Sequence, residues 1–242
     1  MILSLFKSKP KLRDLIPEGF VDIHSHILPG IDDGAKTVEE SLELISEMKK
    51  LGFSKIVGTP HIYEGVHNNT KQSIETSFNK LKKLKIDDVK IEYASEYMID
   101  ESLIEKARDR SLLCIKDNFV LVEMSYISAP INLYNIIFNL KTNNYIPIIA
   151  HPERYRYISN NIDEYYRLKK HGCYFQINLL STTGYYGADI VKKSEILLAN
   201  NMIDFVGSDI HKAKHISHFD DEIKITQIKA LEKSIVNNKL FK

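Results

Sequence analysis

The sequence lacks several features that mark common classes of protein. Its 242 residues include only two cysteines, Cys114 and Cys173, and neither belongs to a CxxC pair. This excludes a disulfide framework, so we expect a reduced, cytoplasmic protein in which Cys173 is a small buried residue. No apolar run approaches the roughly 18 residues that a membrane span requires, so we expect no transmembrane segment.

The charge balance and the short catalytic motifs exclude further classes. Lysine and arginine number 33 and aspartate and glutamate 32, so the chain has neither a basic footprint for nucleic acid nor an acidic tail. We therefore expect no nucleic-acid partner, and a nuclease is a weak alternative. The sequence also has no GxSxG, GxGxxG, P-loop or DxD pattern. Their absence argues against serine-hydrolase, dinucleotide-binding, kinase-like and aspartyl-phosphate chemistry.

The length suits one large α/β domain, which we place at residues 20–242. Residues 1–19 form an N-terminal extension whose apolar start is interrupted by Lys7, too early for a signal peptide. This extension either packs on the domain, a partner subunit or a membrane surface, or is loosely ordered. An oligomer is compatible with the sequence.

Short apolar runs alternate with amphipathic stretches along the chain. The runs predict seven strands of a parallel sheet covered on both faces: Phe20–His24, Lys55–Thr59, Val89–Ala94, Phe119–Met124, Ile146–Ala150, Cys173–Asn178 and Asp204–Ser208. The amphipathic stretches predict helices from Val38 to Gly52, where Thr37 is the N-cap, and at Ile74–Leu84, Ile131–Thr142, Ile162–His171, Ala188–Asn200 and Glu222–Val236. Seven successive β–α units favour a closed or nearly closed barrel.

The polar residues fall where these strands end. The stretch VDIHSHILPGIDDG places His24 and His26 two residues apart, so they share one face of a strand. Taken alone, this pair could be two ordinary surface histidines. However, a histidine, aspartate or glutamate follows six of the seven strands: His24 and His26, His61, Glu96, Glu123, His151, and Asp209 with His211. In a parallel barrel all of these ends lie on the face that carries active sites.

Bound divalent cations explain this convergence better than independent loop residues do. Carboxylates clustered without cations would repel one another, and removing them from water would be costly. Imidazole and carboxylate ligands without a thiolate suit manganese, iron or zinc. The candidate ligands are too numerous for one ion, so we expect two or three ions that share bridging carboxylates and activate a water for attack on phosphate.

The ordered motifs DIHSHILPGIDDG, TPH, SEYM, VEMS, IAHPERY and GSDIH resemble the polymerase-and-histidinol-phosphatase (PHP) family. Within it, they are most similar to the manganese-dependent protein tyrosine phosphatases of bacterial capsule and exopolysaccharide operons. The resemblance spans about residues 20 to 240 and implies a distorted barrel of seven parallel strands with a trinuclear metal site. It also implies Mn²⁺ as cofactor and, as substrate, the phosphorylated tyrosine-rich tail of a bacterial tyrosine kinase.

The same resemblance assigns roles to individual residues. The implied ligands are His24, His26, Glu96 and Asp209 for the first ion; Glu96, Glu123 and His151 for the second; and Asp33, His61 and His211 for the third. Asp32 is then a residue that shapes the loop, and Arg154 matches the phosphate-binding arginine. A second arginine, usual after the DxH pair, is missing, and Lys212, Lys214, His215 and His218 are the available substitutes. Tyr63 and His67 are candidates for the substrate entrance.

We expect a metal-bridging hydroxide to attack phosphorus while Arg154 binds the free oxygens and Asp209 or His211 assists protonation of the leaving phenolate. No cysteine is followed six positions later by arginine, because Val120 and Leu179 stand there, so thiol-dependent phosphatase chemistry is excluded. Two alternatives remain. One is a small-molecule phosphatase of the histidinol-phosphatase type, and the other is a catalytically weak, metal-bound regulatory or scaffold protein.

Overall fold

The computed structural model of the protein describes residues 9–84, 86, 88–158 and 162–242. Its strands pair in parallel in two sheets, ordered β1-β2-β4 and β3-β5-β6-β7-β8-β9. Their bounds are β1 Phe20–Ser25, β2 Phe53–Gly58, β3 His61–Ile62, β4 Lys90–Tyr93, β5 Glu96–Met98, β6 Phe119–Glu123, β7 Ile146–Ala150, β8 Tyr174–Asn178 and β9 Phe205–Gly207. Each of the seven predicted strands is present, with ends within two residues of those expected. The prediction missed the short strands β3 and β5.

The two additional strands arise because two strand paths bend. Thr59 and Pro60 separate β2 from β3, and Ala94 and Ser95 separate β4 from β5. Proline has no backbone N–H to donate, so the first sheet stops at this point and pairing resumes beyond it. The N–H of Glu96 donates to the Pro60 carbonyl at 3.1 Å, and Ser95 Oγ donates to the same oxygen at 2.7 Å. The two bent paths therefore stay adjacent, and the nine strands occupy seven positions.

The seven positions close into a ring because β1 meets the chain just beyond β9. Ser25 and Ile210 form a parallel bridge. The Asp209 N–H donates to the His24 carbonyl at 2.8 Å, and the His26 N–H donates to the Ile210 carbonyl at 2.9 Å. Closure therefore occurs at the C-terminal ends of both strands, directly beside four of the predicted site residues.

A buried asparagine joins the same two strands further from the site. Asn238 is 1% exposed. Its Nδ2 donates to the carbonyls of Val21 on β1 and Val206 on β9, at 2.9 and 2.8 Å, and its Oδ1 accepts from the Val206 N–H at 3.1 Å. One side chain thus supplies the hydrogen bonds that the two backbones do not make to each other there.

The barrel interior is apolar below the site. One buried cluster contains no α-helix residue and consists mainly of strand residues, which places it inside the ring: Val21, Ile23, Val57, Ala94, Ile115, Leu121, Ile148, Ala150, Phe205 and Phe241. Phe241, near the C-terminus, packs edge-on against Phe119 and Phe205 with ring centroids 5.4 and 4.9 Å apart. The end of the barrel opposite the candidate site is therefore filled with aromatic side chains.

The helices pack outside the barrel and contribute to the larger apolar core. They are α1 Val38–Lys50, α2 Lys71–Lys82, α3 Ser102–Arg108, α4 Leu133–Thr142, α5 Ile162–Lys170, α6 Ala188–Ala199, α7 Ala213–Ser217 and α8 Ile228–Asn237. Thr37 caps α1 as predicted, since its side chain accepts a hydrogen bond from the Glu40 N–H at 3.2 Å. The prediction missed α3 and α7, which span seven and five residues and are too short to show a helical period.

The predicted start of the last helix, Glu222, was wrong by six residues. Glu222 pairs antiparallel with Lys11, and the Ile223 N–H donates to the Pro10 carbonyl at 3.0 Å. This segment is therefore extended against the N-terminal extension, and α8 begins only at Ile228.

The described part of the N-terminal extension, residues 9–19, packs on the barrel domain. Leu12 is fully buried, and its N–H donates to the Asp221 carbonyl at 3.0 Å. Arg13 Nη1 lies 2.8 Å from Asp220 Oδ1, an exposed ion pair at the same contact. Residues 1–8 of the predicted extension lie outside the described residues.

We expect Asn238→Ala to lower the free energy of unfolding of the metal-free protein by about 2–3 kcal/mol, because three buried backbone groups lose their partner. Urea denaturation followed by circular dichroism measures this change. Asn237→Ala is the matched control, since Asn237 is only half-buried and donates one hydrogen bond, to the Asp204 carbonyl at 2.9 Å. Equal losses in the two variants would contradict the role given to Asn238.

Candidate metal centre

Four of the predicted ligands direct their polar atoms at one point above the barrel. The Nε2 atoms of His24 and His26 lie 3.2 Å apart. His24 Nε2 lies 3.2 Å from Glu96 Oε2 and 3.3 Å from Asp209 Oδ1, and the matching distances for His26 Nε2 are 3.5 and 3.4 Å. All four side chains are almost wholly buried. The barrel fold thus brings together residues up to 185 positions apart (209 minus 24).

The tautomer of His24 follows from a chain of hydrogen bonds that starts at Asp209. The Asp209 carboxylate can only accept, so Asn178 Nδ2 is the donor at 2.6 Å. Asn178 Oδ1 then accepts from Gln176 Nε2 at 3.0 Å, which leaves Gln176 Oε1 to accept from His24 Nδ1 at 2.7 Å. His24 in its neutral form therefore carries its proton on Nδ1 and directs the Nε2 lone pair at the two carboxylates.

His26 is oriented in the same way by Asp32. Its Nδ1 lies 2.7 Å from Asp32 Oδ2, so Nδ1 carries a proton, and in the neutral form of His26 the Nε2 lone pair faces Glu96 and Asp209. Asp32 Oδ1 also accepts from the Gly34 N–H at 2.9 Å, which shapes the loop. Two imidazole lone pairs and two carboxylates then face one another, an arrangement that is stable only around a cation.

The remaining predicted ligands extend the cluster in two directions. Asp33 Oδ1 lies 3.5 Å from His61 Nε2 and 3.3 Å from His211 Nε2, so the three residues predicted for the third ion lie together. Glu96 Oε1 lies 3.0 Å from His151 Nε2. Glu123 approaches His61 rather than His151, with its Oε1 2.9 Å from His61 Nδ1.

The donor atoms group in four overlapping sets, each within 4.8 Å: His26, Asp33, His61 and His211; His24, His151 and Asp209; His24, His26 and Glu96; and His61, Glu96 and Glu123. The set Glu96, Glu123 and His151, expected for the second ion, is divided between two of these groups. The two carboxylate oxygens of Glu96 lie within 3.5 Å of nitrogens of His24, His26, His61 and His151, which suits a bridging carboxylate. All nine predicted ligands therefore belong to one continuous cluster.

Two atoms at the centre of this cluster lack hydrogen-bond partners. Glu96 Oε2 and His61 Nδ1 are buried and lie 3.1 Å apart, yet their orientation does not satisfy hydrogen-bond geometry. An unsatisfied buried polar group costs roughly 1–3 kcal/mol. A divalent cation between them would satisfy both atoms, so the donor set fits the metal ions that the sequence predicts.

The charges in the metal-free cluster are mutually dependent. Burial lowers the pKa of His24, but the attraction of Glu96 and Asp209 outweighs burial, and the net direction is upward. Burial raises the pKa of Glu96, but the attraction of His24 and His61 outweighs it and holds this pKa well below its usual value. The carboxylates therefore retain positive charge nearby, as protons on the imidazoles in the metal-free protein, and a metal ion would displace those protons.

Two of the predicted site residues have strained backbones. His151 and Asp209 adopt positive φ angles of 34° and 52°, which are uncommon for residues other than glycine. Such conformations cost about 1–3 kcal/mol each and persist where the surroundings enforce them, often at functional sites. His151 directly follows β7 and Asp209 lies two residues beyond β9, and at both positions the side chain is directed into the cluster.

Strand β8, which supplies no ligand, supplies the amides that orient the others. Gln176 and Asn178 are two residues apart on one face and fully buried. Glu153 Oε1 fixes the end of this strand, since it accepts from the Asn178 N–H at 3.0 Å and from Ser181 Oγ at 2.6 Å. The sequence analysis missed all three residues. The available signal was the period-two pair of amides within the apolar run YFQIN.

Arg154 lies at the edge of the cluster, in the short turn that follows His151. Its Nη1 lies 3.0 Å from Asp209 Oδ2. Its guanidinium carbon lies 4.7 Å from the ring centre of Tyr126 and 4.3 Å from that of Tyr186. The guanidinium group of Arg154 is therefore held between two aromatic rings, and one of its nitrogens contacts a predicted ligand, Asp209.

A cavity of about 520 Å³ opens over these residues. It is lined by predicted ligands, by Arg154, and by aromatic side chains that include Tyr63, His67, Tyr126, Tyr185 and Tyr186.

Of the four substitutes considered for the missing arginine, Lys212 and His215 are among the lining residues described. His218 instead pairs with Asp221, with its Nδ1 2.6 Å from Oδ2. Burial is the main cause of a fall in the pKa of His215 to about 4, so at neutral pH His215 would offer a hydrogen bond rather than a charge.

Residues 20–236 match the family described as capsular polysaccharide synthesis, CpsB/CapC. The chain belongs to the CpsB/CapC family. The tyrosine-protein phosphatase YwqE of Bacillus subtilis is 33% identical over 198 residues, which cover 80% of this chain and 78% of YwqE. The tyrosine-protein phosphatase CpsB of Streptococcus pneumoniae is 30% identical over 200 residues, which cover 79% of this chain and 82% of CpsB.

A solved structure extends the similarity to three dimensions. It comes from a study of the crystal structures of YwqE from Bacillus subtilis and CpsB from Streptococcus pneumoniae, which are described there as unique metal-dependent tyrosine phosphatases. It superposes with a TM-score of 0.77 and 29% identity, covering 91% of this chain and 93% of the other. The predicted family and α/β fold are thereby confirmed for this CpsB/CapC member. No helix within the described residues is long and apolar enough to cross a membrane.

We expect Gln176→Leu to weaken Mn²⁺ binding by about 10- to 100-fold, because His24 loses the acceptor that fixes its tautomer. Isothermal titration calorimetry on chelator-stripped protein measures this directly, without reference to activity. Gln176→Glu is the control: it keeps an acceptor opposite Nδ1 and should bind Mn²⁺ more tightly than the leucine variant. Wild-type affinity in Gln176→Leu would remove the amide chain from the site.

Proposed function

We propose that this protein is a metal-dependent protein-tyrosine phosphatase, as its relatives are named, with residues 20–242 as one catalytic domain and residues 1–19 as an extension. The observation that carries the proposal is the position of Arg154. This phosphate-binding side chain is held between two tyrosine rings, beside nine converging metal-ligand candidates, in an aromatic-lined cavity. The candidate ligands would bind metal ions, Arg154 would bind the phosphate, and the aromatic side chains would pack against the aryl ring.

The ligand roles in this proposal are those that the sequence predicts, with Mn²⁺ as the cofactor and iron or zinc as alternatives. Nine imidazole and carboxylate side chains without a thiolate fit two or three such ions. When bound, the ions would neutralise phosphate charge and supply a water activated for attack at neutral pH. The burial of the cluster strengthens each of these electrostatic interactions.

The chain's own residues position the phosphate and receive the leaving group. Arg154 binds two phosphate oxygens with its planar fork, which Asp209, Tyr126 and Tyr186 hold in place before substrate arrives. The aryl ring of phosphotyrosine lies among the aromatic side chains of the cavity wall. Asp209 or His211, which both line the cavity, assists protonation of the leaving phenolate.

The finer biological assignment belongs to the same proposal. The substrate is a phosphotyrosine protein, and the family's link to capsular polysaccharide synthesis favours the tail of a bacterial tyrosine kinase that controls polysaccharide export. The reaction takes place in the cytoplasm.

We expect chelator-stripped protein to release phosphate from a phosphotyrosine peptide only after Mn²⁺ is added back. A colorimetric phosphate assay measures the release, with histidinol phosphate as the parallel substrate. Release from histidinol phosphate in preference to the peptide would replace this proposal with the small-molecule phosphatase. Metal binding without turnover of either substrate would favour a scaffold.

Arg154→Ala should reduce kcat/KM for the phosphotyrosine peptide by about 100-fold or more, because a preorganised bidentate contact is lost. The same variant should bind Mn²⁺ with an affinity within a few-fold of the wild type, since Arg154 supplies no ligand atom. Arg154→Lys tests geometry against charge, and it should recover only a small part of the loss. Unchanged kinetics in Arg154→Ala would remove this residue from the phosphate site.

A further inference from the structure

Apolar side chains from three neighbouring strand positions line part of the cavity. Val66 and Ile127 both line the cavity, yet they are 59% and 90% exposed. Met98 lies between them in strand order, since Val66 follows β3, Met98 ends β5 and Ile127 follows β6. We call Val66, Met98 and Ile127 the apolar rim. Lys212 and His215 follow β9 and also line the cavity, so the chain beyond β9 presents one lysine charge and one polar imidazole there.

The apolar rim is fixed to the predicted metal ligands. Val66 lies in a tight hairpin in which the Tyr63 and His67 N–H groups donate to each other's carbonyls at 3.0 and 2.7 Å. His67 stacks on His61, with ring centroids 5.2 Å apart. On the other loop, Tyr126 stacks on His151 at 5.6 Å, directly before Ile127. Both exposed residues are therefore held at a set position relative to the site.

We propose that the apolar rim binds an apolar side chain next to phosphotyrosine in a protein substrate. This inference rests on the proposed function. When an aryl phosphate fills the cavity, the substrate backbone lies at the mouth, where neighbouring Cα atoms are 3.8 Å apart. An adjacent side chain of the peptide thus reaches the rim, whereas a small phosphate monoester contained in the cavity does not. The rim therefore selects a polypeptide over a metabolite.

Two phosphotyrosine peptides test the proposal, identical except that leucine or serine flanks the phosphotyrosine on both sides. Partial burial of one leucine against the rim should lower the wild-type KM of the leucine peptide by about five- to tenfold relative to the serine peptide. Ile127→Ser should reduce this ratio to about twofold. The KM for p-nitrophenyl phosphate, which has no neighbouring residues, should stay within twofold of the wild-type value.

Ile131→Ser is the matched control. Ile131 lies on the same loop and is fully exposed, but it is not among the described residues that line the cavity. It should keep the wild-type ratio of the two KM values. Equal KM values for the two peptides in the wild type, or equal effects of the two substitutions, would overturn the role of the rim. Absence of any turnover of p-nitrophenyl phosphate by Mn²⁺-loaded wild type would instead reject the proposed function, and the rim's role with it.

Discussion

The structure depends on the burial of carboxylates at the end of a barrel that is otherwise filled with apolar side chains. Glu96 is fully buried and Asp209 is 3% exposed, and within the described residues neither pairs with a lysine. An isolated carboxylate in such surroundings would become protonated rather than stay charged. Five histidines and Arg154 surround the two groups instead, and the protons or metal ions that those imidazoles hold balance the carboxylate charge. The stability of this end of the barrel therefore depends on how fully the negative charge of Glu96 and Asp209 is neutralised.

The hydrogen-bond chain from Asp209 through Asn178 and Gln176 to His24 prepares the cluster to be neutralised by metal ions. It fixes one proton of His24 on Nδ1, on the side away from the cluster, so that Nε2 faces inwards and becomes a metal ligand once its own proton is displaced. The positive φ angles at His151 and Asp209 serve the same end, because they hold these side chains at the bend after a strand. Ordering the donor atoms during folding lowers the cost of ordering them during metal binding.

Most of the candidate ligands could be located from the sequence because they follow apolar runs, and a parallel barrel places all such ends together. Asp33 was assigned only through the family resemblance. The orienting residues could not be located in either way. Gln176 and Asn178 lie within a strand, where an amide side chain is equally common on a solvent-facing surface, and only the ring closure shows that they face His24. The sequence analysis also missed the strand break at Pro60 and the role of Asn238 between β1 and β9, for a related reason. Each depends on which strand lies alongside, and one strand's own pattern does not contain that information.

The site divides recognition into two parts with different chemistry. In the proposed function, the cluster and Arg154 bind a phosphate group, which every phosphate monoester carries, so they contribute affinity without distinguishing one monoester from another. Discrimination must therefore arise further out, in the tyrosines of the cavity wall and in the apolar rim at its mouth. The missing second arginine strengthens this argument. With one fork instead of two on the phosphate, a larger share of the binding free energy has to come from the aryl ring and the polypeptide around it, which is what a protein substrate supplies and a small metabolite does not.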